Sequence, residues 1–263
     1  MPHADINGYP MYYAVAGDSR LAAAPVLFLH GLGSSAGDWA LQVPAFAARR
    51  RVITVDLRGH GRSRYPGRLT IPDMADDVAR LLRQLGGPAH VVGLSMGGCV
   101  AVALGILRPE AVRSLTLVNT FARYQAPAGG AGRVAKRLWL LLTAPMPRVA
   151  AFIAEGLFPK PEQRPLVAAA IASLGQNPKR TYWEAILAIR RFDARAGLGT
   201  IRCPVLVVLG DRDQTVPRAA GEALAAGLRG AQTWVAADSG HATPMDQPEA
   251  FNARVLEFIE AAD

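Results

Sequence analysis

The chain has 263 residues, of which 51% are hydrophobic and 19% are charged, a balance typical of a folded chain and unlike that of a disordered one. Its net charge is +8, and residues 121–199 hold the whole excess, with 12 Lys and Arg against 4 Asp and Glu. No nucleic-acid-binding motif accompanies these basic residues, no apolar run is as long as a membrane span, and the first residues lack the basic and then apolar pattern of a secretory leader.

These exclusions favour a cytoplasmic protein without a nucleic-acid or membrane partner. The two cysteines, Cys99 and Cys203, lie in apolar stretches and are typical of small buried residues. Neither has the spacing to other Cys, His or acidic residues that a metal site needs. We therefore expect neither cysteine to bind a metal ion.

The first predicted elements are strands. Asn7-Gly8 separates two short ones, which predicts an antiparallel hairpin at a sheet edge. Residues 25–29 form a continuous apolar run, as expected for a strand buried on both faces of a parallel sheet, and residues 51–55 form the next strand. Residues 71–85 carry apolar side chains at the helical period. Strand and helix therefore alternate, which predicts an α/β fold.

Residues 91–98, Val-Val-Gly-Leu-Ser-Met-Gly-Gly, are an apolar strand that turns sharply into a predicted helix. Gly93 and Gly97 flank the turn, where a side chain would clash with the strand or the helix. Such a turn holds Ser95 clear of the sheet, beside the free N–H groups of a helix N-terminus. This position suits a nucleophile, although a tight turn with an incidental serine gives the same pattern.

The alternation stops at Asn119. Residues 121–199 give four helix-like segments separated by prolines, which predicts a helical lid inserted in a core formed by residues 1–120 and 200–263. Strands at residues 112–118, 203–209 and 232–235 and helices at residues 218–228 and 248–261 complete the core. We expect about eight strands in one doubly wound sheet.

A serine hydroxyl needs a base to remove its proton, and the base needs a carboxylate to fix its tautomer. Asp211 and Asp213 follow the strand at residues 203–209, whereas Asp238 and His241 follow the last strand. All of them are therefore expected at the carboxyl ends of strands, on the same rim as Ser95. From the residues alone, each of the three aspartates is a candidate for the acid.

Five stretches together resemble the α/β-hydrolase fold family, in particular its esterases, 3-oxoadipate enol-lactone hydrolases and cofactor-free haloperoxidase-like perhydrolases. The matching stretches are residues 30–33, 56–63, 93–98, 210–217 and 239–241. They occur in the family's order and span nearly the whole chain outside the predicted lid. The resemblance implies a mostly parallel eight-stranded sheet with helices on both faces.

The resemblance also implies roles for individual residues. Ser95 corresponds to the nucleophile, His241 to the base and Asp213 to the acid that orients it. The backbone N–H groups of Leu32 and Met96 correspond to the two donors of the oxyanion hole. Relatives that carry the acid after the strand at residues 112–118 have a carboxylate where this chain has Asn119.

Other polar and aromatic residues have two interpretations. We expect His30 and His60 to brace their loops rather than to titrate in catalysis. Four aromatic residues could line a substrate pocket, with core packing as the alternative for each. They are Trp39, Phe121, Trp139 and Trp183.

The resemblance implies hydrolysis of carboxylic esters or lactones through an acyl-enzyme. This chemistry implies no metal ion and no organic cofactor. A perhydrolase or a carbon–carbon bond hydrolase would use the same triad, but the latter enzymes usually have Asn in place of Leu94 and Trp in place of Ala242. Ser95 excludes relatives whose nucleophile is aspartate. A receptor-like homologue that binds a ligand without turnover is the non-enzymatic alternative.

The small-molecule substrate could be anionic, because basic side chains of the lid could face the cleft. The alternative is a solvated basic surface. The arginines concerned are Arg123, Arg133, Arg137, Arg190, Arg191 and Arg195.

Overall fold

The computed structural model describes residues 2–18, 20, 22–125 and 130–263. Eight strands form one sheet: β1 (His3–Ile6), β2 (Tyr9–Ala16), β3 (Val26–Leu29), β4 (Val52–Val55), β5 (Ala89–Leu94), β6 (Val112–Val118), β7 (Val205–Gly210) and β8 (Gln232–Ala236). Their order across the sheet is β1-β2-β4-β3-β5-β6-β7-β8. Strand β2 runs antiparallel to both of its neighbours, and all other pairs are parallel. The predicted fold class is confirmed.

The hairpin of β1 and β2 depends on Asn7 and Gly8. Both residues have positive φ, 52° and 77°, which is the conformation that a two-residue hairpin turn with the twist of the strands requires. Asparagine and glycine adopt it at the least steric cost. The predicted antiparallel edge is therefore present, and β2 joins it to the parallel strands through β4.

The sheet is covered on both faces. Every residue of β3, β4, β5 and β7 is buried, as their continuous apolar sequences predict. Because side chains alternate along a strand, Leu27 and Leu29 join the apolar cluster on one face, whereas Val26 and Phe28 join the cluster on the other.

The helices are α1 (Val43–Ala47), α2 (Ile71–Gln84), α3 (Met96–Leu107), α4 (Ala131–Thr143), α5 (Met146–Leu157), α6 (Arg164–Leu174), α7 (Lys179–Arg191), α8 (Arg218–Gly227), α9 (Thr243–Asp246) and α10 (Pro248–Ala261). Helix α2 shows how the sequence defines one of them. The side chain of Thr70 accepts a hydrogen bond from the N–H of Asp73, and Pro72 lies in the first turn. Its apolar face, which includes Val78 and Leu82, packs under the sheet.

Four helices, α4 to α7, lie between β6 and β7, where the sequence predicts a lid. We call residues 121–199 the insert; its residues 126–129 lie outside the described residues. Buried side chains from α4, α5 and α7, including Leu141, Val149 and Tyr182, form a separate small apolar cluster. The insert therefore has packing of its own beside the main core.

The pattern did not predict α1 and α9. Each has no more than five residues, too few for a helical period to show in the sequence. No helix in the described part of the chain is both long and apolar enough to cross a membrane. Cys99 is buried in α3 and Cys203 half-buried before β7, and both are free thiols.

Candidate active site

The turn between β5 and α3 places Ser95 in a strained conformation. Its φ of 53° and ψ of −112° are rarely adopted by a residue with a side chain, and such a conformation costs about 1 to 3 kcal/mol. A Cβ at Gly93 would overlap the carbonyl of Gly97, and a Cβ at Gly97 would overlap the carbonyl of Leu29. The two flanking glycines are therefore required by close packing of the turn itself.

The main chain of Ser95 is fixed on both sides. Its N–H donates to the carbonyl of Val118 at 2.9 Å. Its carbonyl accepts from the N–H of Cys99 at 3.1 Å and from the hydroxyl of Thr120 at 2.7 Å. These bonds hold the strained residue while its side chain lines a cavity.

His241 lines the same cavity and is bonded to Asp213. The distance from His241 Nδ1 to Asp213 Oδ2 is 2.7 Å, and both side chains are more than nine-tenths buried. The other carboxylate oxygen, Oδ1, accepts from the N–H groups of Thr215 at 2.7 Å and Val216 at 3.0 Å. One oxygen of Asp213 is thus held by the main chain and the other faces the imidazole.

The two rival aspartates have other partners. Asp211 Oδ1 accepts from the N–H of Ser239 at 3.0 Å. Asp238 is exposed and pairs with Lys160 at 2.9 Å and Arg212 at 2.9 Å. Of the three candidates, Asp213 is the one that the structure places against His241.

Asn119 joins the loops that carry Asp213 and His241. It is buried at the end of β6, with a positive φ of 46°. Its Nδ2 donates to the carbonyls of Gly240 and His241, and its Oδ1 accepts from the N–H of Gly210 at 2.7 Å. The residue that sequence reasoning treated only as a missing carboxylate connects the ends of three strands. No sequence signal marked this role.

The loop after β3 lies against Ser95. A Cβ placed on Gly31 would lie 3.8 Å from Ser95 Cβ, an ordinary van der Waals contact. His30 Nε2 accepts from the N–H of Leu57 at 2.9 Å, so His30 Nδ1 carries the proton that it donates to the carbonyl of Gly31 at 2.8 Å. Since the two ends of a trans peptide point in opposite directions, this bond also sets the direction of the Leu32 N–H.

Met96 is the first residue of α3, so its N–H lies outside the helical ladder. Among the described residues, neither this N–H nor that of Leu32 donates to a protein acceptor. Two free donors beside a serine are the arrangement that stabilises a developing oxyanion.

His30 and His60, the histidines of the loops after β3 and β4, are buried and neutral. Burial lowers the pKa of His30, and burial followed by repulsion from His30 lowers the pKa of His60 to about 3. His60 Nδ1 donates to the carbonyl of Arg58 at 3.0 Å. These contacts fit the predicted bracing of the loops.

The cavity has a volume of about 600 Å³ and is lined mostly by apolar side chains. Each helix of the insert contributes, for example Leu138 of α4, Ile153 of α5, Leu174 of α6 and Ile186 of α7. The insert also touches the loop after β3, because Asn177 Nδ2 donates to the carbonyl of Gly33 at 2.5 Å. It therefore forms part of the cavity wall.

One of the four aromatic residues proposed for the substrate pocket, Phe121, lines this cavity. The expectation is wrong for the other three. Trp39 is 1% exposed and packs on Phe28 at a ring-centroid distance of 4.7 Å, inside the core. Trp139 and Trp183 are 60% and 38% exposed and face away from the cavity, since α4 and α7 turn other side chains towards it.

The six arginines of the insert divide into two groups. Arg137 and Arg190 line the cavity. Arg137 donates to the hydroxyl of Tyr182, and its Nε is buried without a partner among the described residues. The other four lie elsewhere: Arg123 and Arg195 beside Asp193, Arg133 over the Phe152 ring, and Arg191 in a second cavity of about 380 Å³.

Asp38 is a cavity residue that sequence reasoning missed. Its carboxylate accepts from the hydroxyl of Ser34, and both residues line the cavity. Burial, opposed by the Ser34 hydrogen bond, raises the pKa of Asp38 to about 6. The signal in the sequence was an aspartate four residues after a serine in a glycine-rich loop beside the nucleophile.

No group of three or more His, Cys, Asp or Glu in the described ranges has the arrangement of a metal site.

Comparisons with known proteins agree with the fold. A sequence model of the α/β hydrolase fold matches residues 24–248. RutD of Azorhizobium caulinodans, a protein named as a carbamate hydrolase, is 34% identical over 274 aligned positions that cover 100% of both chains. A pimeloyl-[acyl-carrier protein] methyl ester esterase of Neisseria meningitidis is 31% identical, covering 91% of this chain and 94% of its own.

Among solved structures, the enol-lactonase of Burkholderia xenovorans superposes with a TM-score of 0.90 at 28% identity. The superposition covers 98% of this chain and 100% of the enol-lactonase.

Proposed function

The chain belongs to the α/β-hydrolase fold family and is a hydrolase of ester-type bonds, and from that premise we propose that it cleaves carboxylic esters or lactones with Ser95, His241 and Asp213 as its triad. The observation that carries the proposal is the 2.7 Å bond between His241 and Asp213, in a cavity that Ser95 also lines. An imidazole held in this way keeps its other nitrogen free to act as a base.

In the proposed reaction, Ser95 Oγ attacks the carbonyl carbon while His241 Nε2 takes the hydroxyl proton. The N–H groups of Leu32 and Met96 hold the negative oxygen of the tetrahedral intermediate. The intermediate collapses, the C–O bond breaks, and His241 returns the proton to the leaving alkoxide. A water activated by His241 then attacks the acyl-enzyme, and Ser95 is released with its proton.

The lining of the cavity supports an ester or lactone with an apolar body. Leu94 and Ala242, the positions at which carbon–carbon bond hydrolases usually carry polar Asn and Trp, both line this cavity. The ester or lactone assignment therefore ranks above carbon–carbon bond cleavage. Perhydrolysis would use the same acyl-enzyme with hydrogen peroxide in place of water.

Two positive side chains favour a substrate that carries an anionic group. Arg137 and Arg190 line the cavity, and among the described residues no carboxylate pairs with either guanidinium. Arg190 is exposed, whereas Arg137 is partly buried and its Nε has no partner among the described residues. A partly buried cation without a counter-ion is unfavourable, so a bound carboxylate would supply the partner that Arg137 lacks. We propose that the preferred ester or lactone bears a carboxylate on the side that faces the insert.

Carbamate cleavage is a second candidate, favoured by Asp38. Among the described residues that line the cavity, Asp38 is the one with a carboxylate, and it follows the loop that bears Leu32. Its oxygen could accept an N–H that a carbamate has and a carboxylic ester lacks. The same triad would perform the reaction, because the attacked atom is again a carbonyl carbon.

A fluorophosphonate tests the proposal directly. We expect covalent addition to Ser95, and Ser95→Ala should abolish both labelling and ester hydrolysis, by a factor on the order of 10⁴ or more. Ser173→Ala is the matched control, because Ser173 is another serine of the cavity wall. Labelling that persists in Ser95→Ala would overturn the assignment, and an unlabelled, inactive wild type would favour a receptor-like protein. Matched carboxylic ester and carbamate substrates then separate the two candidates.

A further inference from the structure

The loop that carries His241 is held from two sides. On the sheet side, Asn119 donates to the carbonyls of Gly240 and His241, at 3.2 Å and 2.7 Å. On the opposite side, the N–H of Gly240 donates to Asp246 Oδ2 at 2.6 Å. The residue before His241 is therefore fixed through both its N–H and its carbonyl.

Asp246 links this loop to the insert. It lies on α9, one helical turn after Ala242, and its side chain is 4% exposed. While Oδ2 accepts from Gly240, Oδ1 accepts from Gln163 Nε2 of the insert and lies 3.7 Å from Lys160 Nζ. Oδ2 thus holds the main chain just before His241, and Oδ1 binds the insert.

The insert side of this link is itself fixed. Gln163 is buried, and its Oε1 accepts from the N–H of Lys160 at 3.0 Å. Lys160 Nζ donates to the carbonyl of Asp238 at 2.5 Å and to Asp238 Oδ2 at 2.9 Å. Lys160 and Gln163, which lie in one short segment, therefore bind the chain on both sides of His241, at Asp238 and at Asp246.

The close approach of α5 reinforces the contact. A Cβ on Gly240 would lie 3.3 Å from the carbonyl of Leu157, the last residue of α5, which is tighter than most real contacts. A displacement of the segment from α5 to Gln163 would therefore also displace Gly240, because groups packed this closely move together.

We propose that Asp246 is a positioning residue that sets the main chain at Gly240, and thereby the imidazole of His241, and that the insert holds Asp246 in place through Gln163 and Lys160. The proposal rests on the proposed role of His241 as base. It gives the insert a second task besides forming the cavity wall, since the insert completes the catalytic geometry. We call this set of contacts the latch: Lys160, Gln163, Gly240 and Asp246.

The expected loss of activity follows from the position of Asp246. Asp246 touches none of the reacting atoms, so breaking the latch leaves the triad chemically complete but less well placed. A misplacement of about 1 Å from a change outside the reacting groups costs up to about 100-fold in rate. We expect a loss of about tenfold in kcat, because the bonds from Asn119 and Asp213 remain.

The test compares Asp246→Ala, Gln163→Ala and Lys160→Met with Glu162→Gln, which changes an exposed neighbour of Gln163. The substrate is 4-nitrophenyl acetate, whose acyl group is short, and kcat is expressed per Ser95 titrated with the fluorophosphonate. The second readout is the proton resonance of His241 Nδ1–H in NMR, which is shifted far downfield while that proton is bonded to a carboxylate.

Asp246→Ala and Gln163→Ala should lower kcat at nearly unchanged KM and weaken the His241 resonance, whereas Glu162→Gln should match the wild type. Lys160→Arg should retain the activity that Lys160→Met loses, since arginine keeps the charge and the donors. The double variant Gln163→Ala/Asp246→Ala should be no slower than Asp246→Ala alone, because Gln163 and Asp246 act through one contact.

An unchanged kcat per titrated site with an unchanged His241 resonance in Gln163→Ala and Lys160→Met would overturn the proposal, even if those variants melt earlier. These two variants decide the matter if Asp246→Ala does not fold. The resonance also reports on the latch in a protein that hydrolyses no ester, so failure of the latch and failure of the proposed function give different results.

Discussion

His241 Nδ1 lies 2.7 Å from Asp213 Oδ2, whereas the carboxylate of Asp211, two residues earlier, is bonded to the N–H of Ser239. Two aspartates of one loop thus have different partners: Asp213 is bonded to an imidazole and Asp211 to the main chain.

The first prediction compares these two aspartates. Asp213→Asn should lower kcat by a factor on the order of 10⁴, because an amide in this place favours the wrong imidazole tautomer. Asp211→Asn should leave kcat nearly unchanged, since the amide oxygen of Asn can still accept from the N–H of Ser239 and Asp211 does not contact His241. Steady-state kinetics and thermal melts of both variants check this. A larger loss of kcat in Asp211→Asn would reassign the acid.

The second prediction concerns Arg137. Wild type should hydrolyse an ester with a terminal carboxylate faster, in kcat/KM, than its methyl-capped analogue. Arg137→Met should lose most of this preference, because the guanidinium faces the cavity and the substituted chain keeps its apolar stem. Arg133→Met is the control, since Arg133 lies over the Phe152 ring. A preference for the neutral analogue in the wild type would exclude the anionic substrate.

The salt dependence of this preference separates a direct ion pair from long-range attraction. The screening length falls to about 10 Å at 0.1 M salt, so attraction by exposed charges of the insert would fade in that range. A contact inside the cavity persists to higher salt. We expect the part of the preference that depends on Arg137 to persist.

The third prediction uses the pKa of Asp38, which burial raises to about 6. An unfolded chain loses this proton near pH 4, so between about pH 4 and 6 the folded protein holds a proton that the unfolded chain has lost. The contribution of Asp38 to stability therefore falls as the pH rises through this window.

Asp38→Asn removes that dependence, because an amide does not titrate. The free energy of unfolding of the variant, relative to that of the wild type, should therefore increase from pH 4 to pH 7. Urea unfolding at these two pH values measures it. A difference that stays constant with pH would show that Asp38 titrates alike in both states.

The fourth prediction is that hydrolysis survives exhaustive treatment with EDTA. A triad with backbone oxyanion donors needs no Lewis acid. Activity that EDTA removes and Zn²⁺ or Mg²⁺ restores would contradict the mechanism.

The parts of the fold that the sequence predicted are those governed by local rules. The Asn7-Gly8 hairpin, the apolar run of β3 and the glycines around Ser95 follow from backbone sterics and burial within a few residues. The acid and base candidates follow because parallel strands bring their carboxyl ends to one edge.

The contacts that sequence reasoning missed join distant residues. Asn119 and His241 are 122 positions apart, and their bond depends on how β6, β7 and the last loop are placed side by side. The tryptophans show the same limit within single helices. Whether Trp139 or Leu138 faces the cavity depends on how α4 is rotated on its neighbours, and both outcomes fit the same sequence pattern.

Cys99 lies in α3, one turn beyond Ser95, and its Sγ contacts the Thr120 hydroxyl and the Phe121 carbonyl. Burial raises the pKa of this thiol to about 12, so it is neither ionised nor accessible in the native state. An alkylating reagent can reach it when α3 separates from β6, a motion that also undoes the turn at Ser95. The rate of Cys99 alkylation, measured separately from that of the half-buried Cys203, therefore reports how often the native protein loses the turn at Ser95, without any substrate.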